Sequence, residues 1–177
     1  VMTSPAARSG TERAAEVARS RRAQVIINVQ GDEPLIDPDM VEQLAEYLGR
    51  HKAVPMASLM KPLDSEADGS NPNVVKVVVD RDGFALYFSR APIPFLRGQP
   101  PAPQAWKHVG LYGYQRPFLL QFPHLEPTPL EQSEQLEQLR ALEHGYRIKL
   151  LETVHDTVGV DTPEDLQRVE HMLARVA

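Results

Sequence analysis

Val25-Ile26-Ile27-Asn28-Val29-Gln30-Gly31-Asp32-Glu33-Pro34 is the stretch on which the fold turns. It opens as a β-branched run too short for a helix, and Gln-Gly-Asp-Glu-Pro stops that run at once. The pattern predicts a buried strand over 25–29 with an acid, Asp32, at its carboxyl end. Ligands of open α/β sheets bind there, because the strand ends open into a crevice between loops. A carboxylate so placed can hold a hard cation, and a hard cation implies phosphate. Gly, Asp and Pro are also ordinary turn formers, so a strand with a plain turn accounts for the same letters.

Helical patterns flank this strand. Ser9-Gly10-Thr11-Glu12 has the spacing of a capping box, and Ala14, Val17 and Ala18 mark an apolar face running to about residue 21. Asp37 as N-cap and Pro38 at the first helical position open a second helix. Its stripe is Val41, Leu44, Ala45 and Leu48, with Gly49 near the end. A strand is expected over 55–60 and a polar loop over 62–72. Residues 74–79 and 84–88, separated by Asp80-Arg81-Asp82-Gly83, predict a hairpin. Residues 92–103 hold five prolines and form an irregular excursion.

Further on, a strand is expected over 108–114, a helix over 131–144 ended by Gly145, and a strand over 148–151. Thr162-Pro163-Glu164-Asp165 starts a last helix, with Leu166, Val169, Leu173 and Val176 as its apolar face. Strands alternating with helices, plus one hairpin, make a single α/β domain over 1–177 with a mixed sheet.

The chain has 177 residues, enough to bury about 70% of its unfolded surface. Net charge is -5, so there is no strongly basic field for nucleic acid, and Arg19-Ser20-Arg21-Arg22 reads as a solvated helix end. The absence of cysteine excludes disulfide frameworks and thiolate metal sites and is compatible with a reducing compartment. No apolar run approaches the ~20 residues that span a bilayer, so no membrane insertion is expected. No leader pattern opens the chain.

Several residues carry chemical meaning. Asp32 and Asp161 both sit at the ends of expected strands. Thr162 can cap the last helix and leave Asp161 free, although on local pattern alone Asp161 compensates the helix dipole. His108, Gly110, Tyr112 and Tyr114 share one face of a strand, and Val109, Leu111 and Gly113 take the other. An imidazole beside two phenols suits a polyhydroxylated acid; an aromatic face packed in the core is the alternative. Glu134, Glu137, Gln138 and Ala141 share a helix face, which on pattern alone is a solvated stripe. The planar fork of Arg90 can pair with a carboxylate, or Arg90 is a surface residue at a strand end. Ser9, Gly10, Thr11 and Arg13 lie at a helix start, whose free N–H groups can bind an anion or the edge of a base.

Six segments occur in order along nearly the whole chain: Ser9-Gly10-Thr11-Glu12-Arg13, Asn28-Val29-Gln30-Gly31-Asp32-Glu33-Pro34, Tyr87-Phe88-Ser89-Arg90, His108-Val109-Gly110-Leu111-Tyr112-Gly113-Tyr114, Leu136-Glu137-Gln138-Leu139-Arg140 and Gly159-Val160-Asp161-Thr162-Pro163-Glu164-Asp165. Together they resemble the 3-deoxy-manno-octulosonate cytidylyltransferases. The resemblance implies a nucleotide-diphospho-sugar transferase-like (Rossmann-like) three-layer fold, with a mixed, mainly parallel sheet and a hairpin excursion. It implies nucleotidyl transfer from CTP to the sugar acid for lipopolysaccharide biosynthesis, in the cytoplasm, by a homodimer whose interface lies around 92–103 and 108–114. It further implies that Asp32 and Asp161 are catalytic and bind Mg2+. Ser9, Gly10, Thr11 and Arg13 would lie beside the cytosine, and Gln30, His108, Tyr112, Glu137 and Gln138 would contact the sugar acid. Pairing of Arg90 with the sugar carboxylate is a chemical inference added to these. The family's opening strand and Arg- and Lys-bearing phosphate loop have no counterpart before Ser9, so an N-terminally incomplete enzyme is expected. A non-catalytic sugar-nucleotide binding or scaffolding module is the alternative.

Overall fold

Helices start where the sequence supplies a cap. A computed structural model describes residues 1–7, 9–63, 65–98, 105–157, 159–160 and 162–174. Ser9 Oγ accepts from the Glu12 N–H at 3.2 Å, and α1 follows over Gly10–Arg19. Asp37 accepts from the Asp39 N–H at 2.9 Å ahead of α2, Pro38–Arg50. Thr162 and Asp165 form a reciprocal capping box at the start of α7, Pro163–Leu173. Between these lie α3 (Glu66–Ser70), α4 (Arg116–Gln121) with a 3-10 turn (Phe122–His124), α5 (Pro129–Glu134) and α6 (Gln138–Glu143). The strands are β1 (Val25–Asn28), β2 (Met56–Pro62), β3 (Lys76–Val79), β4 (Ala85–Ser89), β5 (Trp106–Gln115) and β6 (Ile148–Glu152).

The sheet is organised around β5. Strand β2 runs antiparallel along it from Met56↔Tyr114 to Pro62↔Trp106, and so takes up one whole edge. Strands β1 and β3 are also antiparallel to β5 and must share the other edge, β3 at residues 106–107 and β1 at 112–115. β4 extends β3 as a hairpin, closed by Gly83 at φ 75. Only the β2–β6 ladder is parallel among the described strands. The expectation of a mixed α/β sheet holds, whereas the mainly parallel pairing does not. β5 runs opposite to β1, β2 and β3 alike, and β4 opposite to β3, so one reversed strand among its neighbours makes most of the ladders antiparallel.

Alternation along β5 builds a core on each face. Val109 and Leu111 pack against Met40, Leu44 and Leu48 of α2, together with Ala57 and Leu59 of β2. Gly113 lies on this face because a Cβ there would sit 2.7 Å from Leu48 Cδ1 and 3.0 Å from Ile27 Cδ1. Tyr114 looks the other way, into Phe88, Phe118, Phe122 and Leu139, with Tyr112 beside them. Helices thus cover both faces, giving three layers.

Three local expectations need correction. The polar stretch at 62–72 contains α3, capped by Ser65. The last helix buries Val169 but leaves Leu166 and Leu173 half exposed, so its apolar stripe is largely uncovered, and Val176 lies outside the described residues. The single helix over 131–144 is two helices, broken at Gln135, whose φ of 55 and ψ of 47 are left-handed. The excursion at 92–103 is irregular over its described part, and 99–104 lie outside the described residues.

Candidate active site

The site opens where β1 and β3 part along the edge of β5. There the register with β2 jumps from Ser58↔Tyr112 to Leu59↔Val109, so Gly110 and Leu111 bulge out of the ladder. Gln30, just beyond β1, reaches into the notch and donates Nε2 to the Gly110 carbonyl at 3.3 Å. Two adjoining cavities of about 550 and 690 Å³ share Gln30, Tyr112, Leu136 and Gln138 in their walls.

The smaller cavity is lined by His108, whose state is fixed from behind. Ser58 Oγ lies 2.8 Å from His108 Nε2 and within 2.9 Å and 3.1 Å of the Leu111 and Val109 carbonyls. The single hydroxyl proton satisfies one of those carbonyls, so the imidazole is assigned as the donor through Nε2–H and keeps Nδ1 as an acceptor. Burial pushes the His108 imidazole down to about 3 from its ordinary 6.5, so it is neutral at physiological pH. Its ring stands 4.9 Å from Phe88 and 5.4 Å from Tyr112. Burial, joined by Tyr114 and Glu137, drives the Tyr112 phenol well above its ordinary value, which keeps it a protonated donor.

The larger cavity holds Glu137 and Gln138. Thr11 Oγ1 donates to Glu137 Oε2 at 2.6 Å and lies 3.4 Å from the Tyr114 hydroxyl, tying α1 to the start of α6. Glu137 Oε1 and Gln138 Nε2, both shielded from solvent, have no hydrogen-bond partner among the described residues. Each such group costs roughly 1–3 kcal/mol until something completes it. An unpaired acceptor and donor on consecutive residues, in a cavity wall, suit a ligand hydroxyl.

Glu134 faces elsewhere, because the break at Gln135 divides the expected common face. Its carboxylate accepts from Ser89 Oγ at 2.6 Å, Tyr87 OH at 3.3 Å and the Arg90 N–H at 2.9 Å. Burial alone would raise it, but these hydrogen bonds and the Arg90 charge hold it below the usual carboxylate range. The Arg90 guanidinium donates to the main-chain carbonyls of Glu134 at 2.8 Å, Pro72 at 3.0 Å and Gln135 at 3.5 Å. Arg90 lines the larger cavity while fastening the end of α5.

The remaining expected residues divide. Ser9 and Gly10 line the larger cavity, and Thr11 stands behind it. Arg13 lines a separate groove between α1 and β1 and donates to Thr3 Oγ1 at 2.9 Å and the Ser4 carbonyl at 3.2 Å. Asp32 is exposed on the turn after β1, in neither cavity wall. Its carbonyl accepts from the Val160 N–H at 2.8 Å, so the turn carrying Asp32 is joined to the residue preceding Asp161. Asp161 itself lies outside the described residues.

Sequence reasoning missed two groups. Ser58 sets the His108 tautomer, and its signal was a lone hydroxyl inside the apolar run at 55–60. Asp156, on the wall of the smaller cavity, binds Lys61 at 3.0 Å and Lys107 at 2.6 Å. Burial raises its carboxyl, but the two ammonium groups more than offset this and hold it low. Nothing in the local pattern around 156 marks that convergence.

A family model described as Cytidylyltransferase matches residues 1–149. A 3-deoxy-manno-octulosonate cytidylyltransferase from Solibacter usitatus is 52% identical over 164 residues, covering 93% of this chain and 65% of that protein. The one from Syntrophotalea carbinolica is 52% identical over 170 residues, covering 92% and 68%. This chain therefore spans about two thirds of the length of these relatives. A solved structure of CMP:2-keto-3-deoxy-manno-octonic acid synthetase complexed with CTP superposes with a TM-score of 0.93 at 42% identity, over 100% of this chain and 73% of that one. On sequence and fold alike, the chain belongs to the cytidylyltransferase family, in its 3-deoxy-manno-octulosonate branch.

Proposed function

We propose that this chain carries the sugar-acid half of an enzyme that couples CTP to 3-deoxy-manno-octulosonate, giving the CMP-sugar and pyrophosphate for lipopolysaccharide biosynthesis. The observation that carries the reading is the buried pair Glu137 Oε1 and Gln138 Nε2, unpartnered among the described residues, in one cavity wall with Gln30 and Tyr112. In the reaction the anomeric hydroxyl oxygen bonds to the α-phosphorus of CTP, the bond to the β-phosphate oxygen breaks, and the hydroxyl proton passes to solvent. Such a transfer needs alignment of the attacking oxygen more than covalent help from the protein.

The side chains supply that alignment. Glu137 Oε1 and His108 Nδ1 accept from sugar hydroxyls, while Gln138 Nε2 and the Tyr112 phenol donate to them. Gln30 is held by the Gly110 carbonyl and offers its amide oxygen to the same ring. Ser9, Gly10 and Thr11 would present the start of α1 to the cytosine, with Arg13 at its flank, and Arg90 would pair with the sugar carboxylate from the cavity wall. Asp32 fits a magnesium ion: its carboxylate is exposed and takes no hydrogen bond among the described residues, and hard oxygens suit that cation. Asp161 would be its partner, and the ion would neutralise phosphate charge.

The protein is proposed to be cytoplasmic and homodimeric, with the dimer contact at the excursion, where Phe95 and Leu96 are exposed. The side chains of His108, Val109, Leu111 and Tyr114 are buried within the chain, so the part of the expected interface at 108–114 is not carried into this proposal. No helix among the described residues is long and apolar enough to cross a membrane.

Titration calorimetry of the sugar acid into this chain tests the reading. Glu137→Ala and Gln138→Ala should each weaken binding by about tenfold, the worth of one or two buried hydrogen bonds. Unchanged affinity in both variants would remove the assignment.

A further inference from the structure

We propose that Gln135 is a positioning residue for the sugar-acid subsite: its left-handed backbone breaks one helix into two and turns Glu137 and Gln138 into the cavity. This rests on the reading of that cavity given above, and it assigns no contact between Gln135 and substrate.

A non-glycine residue at φ 55 and ψ 47 is uncommon, and glutamine has no special preference for that conformation. The surroundings impose it. The Gln135 and Leu136 N–H groups both donate to the Glu131 carbonyl, and Gln135 Nε2 donates to the Gln132 carbonyl at 2.6 Å. From the other side, Arg90 Nη2 donates to the Gln135 carbonyl at 3.5 Å.

An unbroken helix would undo the cavity. Residues three and four apart share a face, so Glu137 and Gln138 would follow Glu134 toward Ser89 and Tyr87 of β4. Instead Glu137 meets Thr11 on α1, and its second oxygen stays unpaired beside Gln138. A charged pair fixes the bend from outside. Arg140 of α6 donates Nε and Nη2 to the two carboxylate oxygens of Glu131 in α5, at 2.8 Å and 2.5 Å, with both side chains nearly buried. Such a two-point contact sets the angle between two short helices as well as their distance.

The test compares Gln135→Gly with Gln135→Val in this chain, by calorimetric titration with 3-deoxy-manno-octulosonate and by amide hydrogen exchange without ligand. Glycine accepts a positive φ freely and should bind within about twofold of the parent. Valine resists it and should bind about tenfold more weakly or worse. In a Glu137→Ala/Gln138→Ala background the valine loss should shrink to about twofold, because Gln135 acts through those two side chains. Equal affinities for the glycine and valine variants overturn the proposal. So does a valine loss that persists undiminished without both side chains, which is the mark of general destabilisation. If even the parent chain fails to bind the sugar acid, the reading of the cavity falls. Exchange at the Leu139 and Arg140 amides, which bond to Leu136 and Glu137, still judges the bend. Faster exchange in the valine variant alone supports the positioning role, and equal protection overturns it.

Discussion

Acidification should destabilise this protein through His108 before its carboxylates are much protonated. The imidazole is buried and sits near 3 in the folded chain, against 6.5 when solvated. Between those values the unfolded chain binds a proton that the folded chain refuses, so stability is present above 6.5 and is lost as pH falls toward 3. Near pH 5 the loss, RT ln(1 + 10^1.5), is about 2 kcal/mol, and it grows by about 1.4 kcal/mol for each further unit until the folded group titrates. Urea unfolding of the parent and of His108→Gln, each near pH 7 and near pH 5, isolates the effect, since every other side chain is common to the two proteins. Glutamine lowers stability at neutrality by disturbing Ser58, but its loss on acidification should be smaller than the parent's by about 2 kcal/mol. Equal acid losses in the two proteins would mean that the folded imidazole is protonated. The neutral, Nε2–H form argued for the site would then be wrong.

Asp32→Asn should leave urea stability within about 0.5 kcal/mol of the parent, as expected for an exposed carboxylate, while severely lowering pyrophosphate release in the complete enzyme. Near-full turnover would remove Asp32 from the metal site. Gly113→Ala should destabilise by about 1–3 kcal/mol in urea, because the new methyl meets Leu48 and Ile27 inside contact distance. A neutral result would mean that α2 shifts away from β5 freely. Lys76 is fully buried and donates to the Asn71, Val74 and Arg90 carbonyls, so Lys76→Met should cost about 3 kcal/mol by leaving them unpaired. Equal midpoints in urea would show that water replaces the ammonium there.

Features fixed within a few residues were legible in the sequence. Asp37-Pro38 and Thr162-Pro163 start helices because cap and proline act on the nearest backbone groups, and Gly83 marks its turn for the same local reason. The alternation at 108–114 sorted Tyr112 and Tyr114 from Val109 and Leu111 correctly, because pleating reverses direction at every residue. Strand direction was not legible. Nothing near Met56 or Trp106 states that those segments run opposed, since the pairing is settled by the path of the chain between them. The break at Gln135 escaped for a related reason. A glycine or asparagine would have announced it, whereas glutamine is held left-handed by Glu131 and by Arg90, which is remote in sequence. Of the candidate site, the polar residues were identifiable by type, but the unpaired atoms on Glu137 and Gln138 exist only once Thr11 has taken the other oxygen. Asp161 stands outside the described residues, so its pairing with Asp32 remains a proposal.

The parting of β1 and β3 along β5 has a consequence for how a substrate is met. Where a pocket is framed by connections that reshape on contact, part of the interaction free energy is spent on ordering them. Here the part of the wall that β5 supplies, His108, Gly110 and Tyr112, is held by the ladder to β2 and by a core on each face of the sheet. Adaptation must therefore come from the incoming molecule, which has to adopt the ring pucker and hydroxyl orientation that the gap accepts. Discrimination between epimers should accordingly appear in how long each remains bound rather than in how fast each arrives.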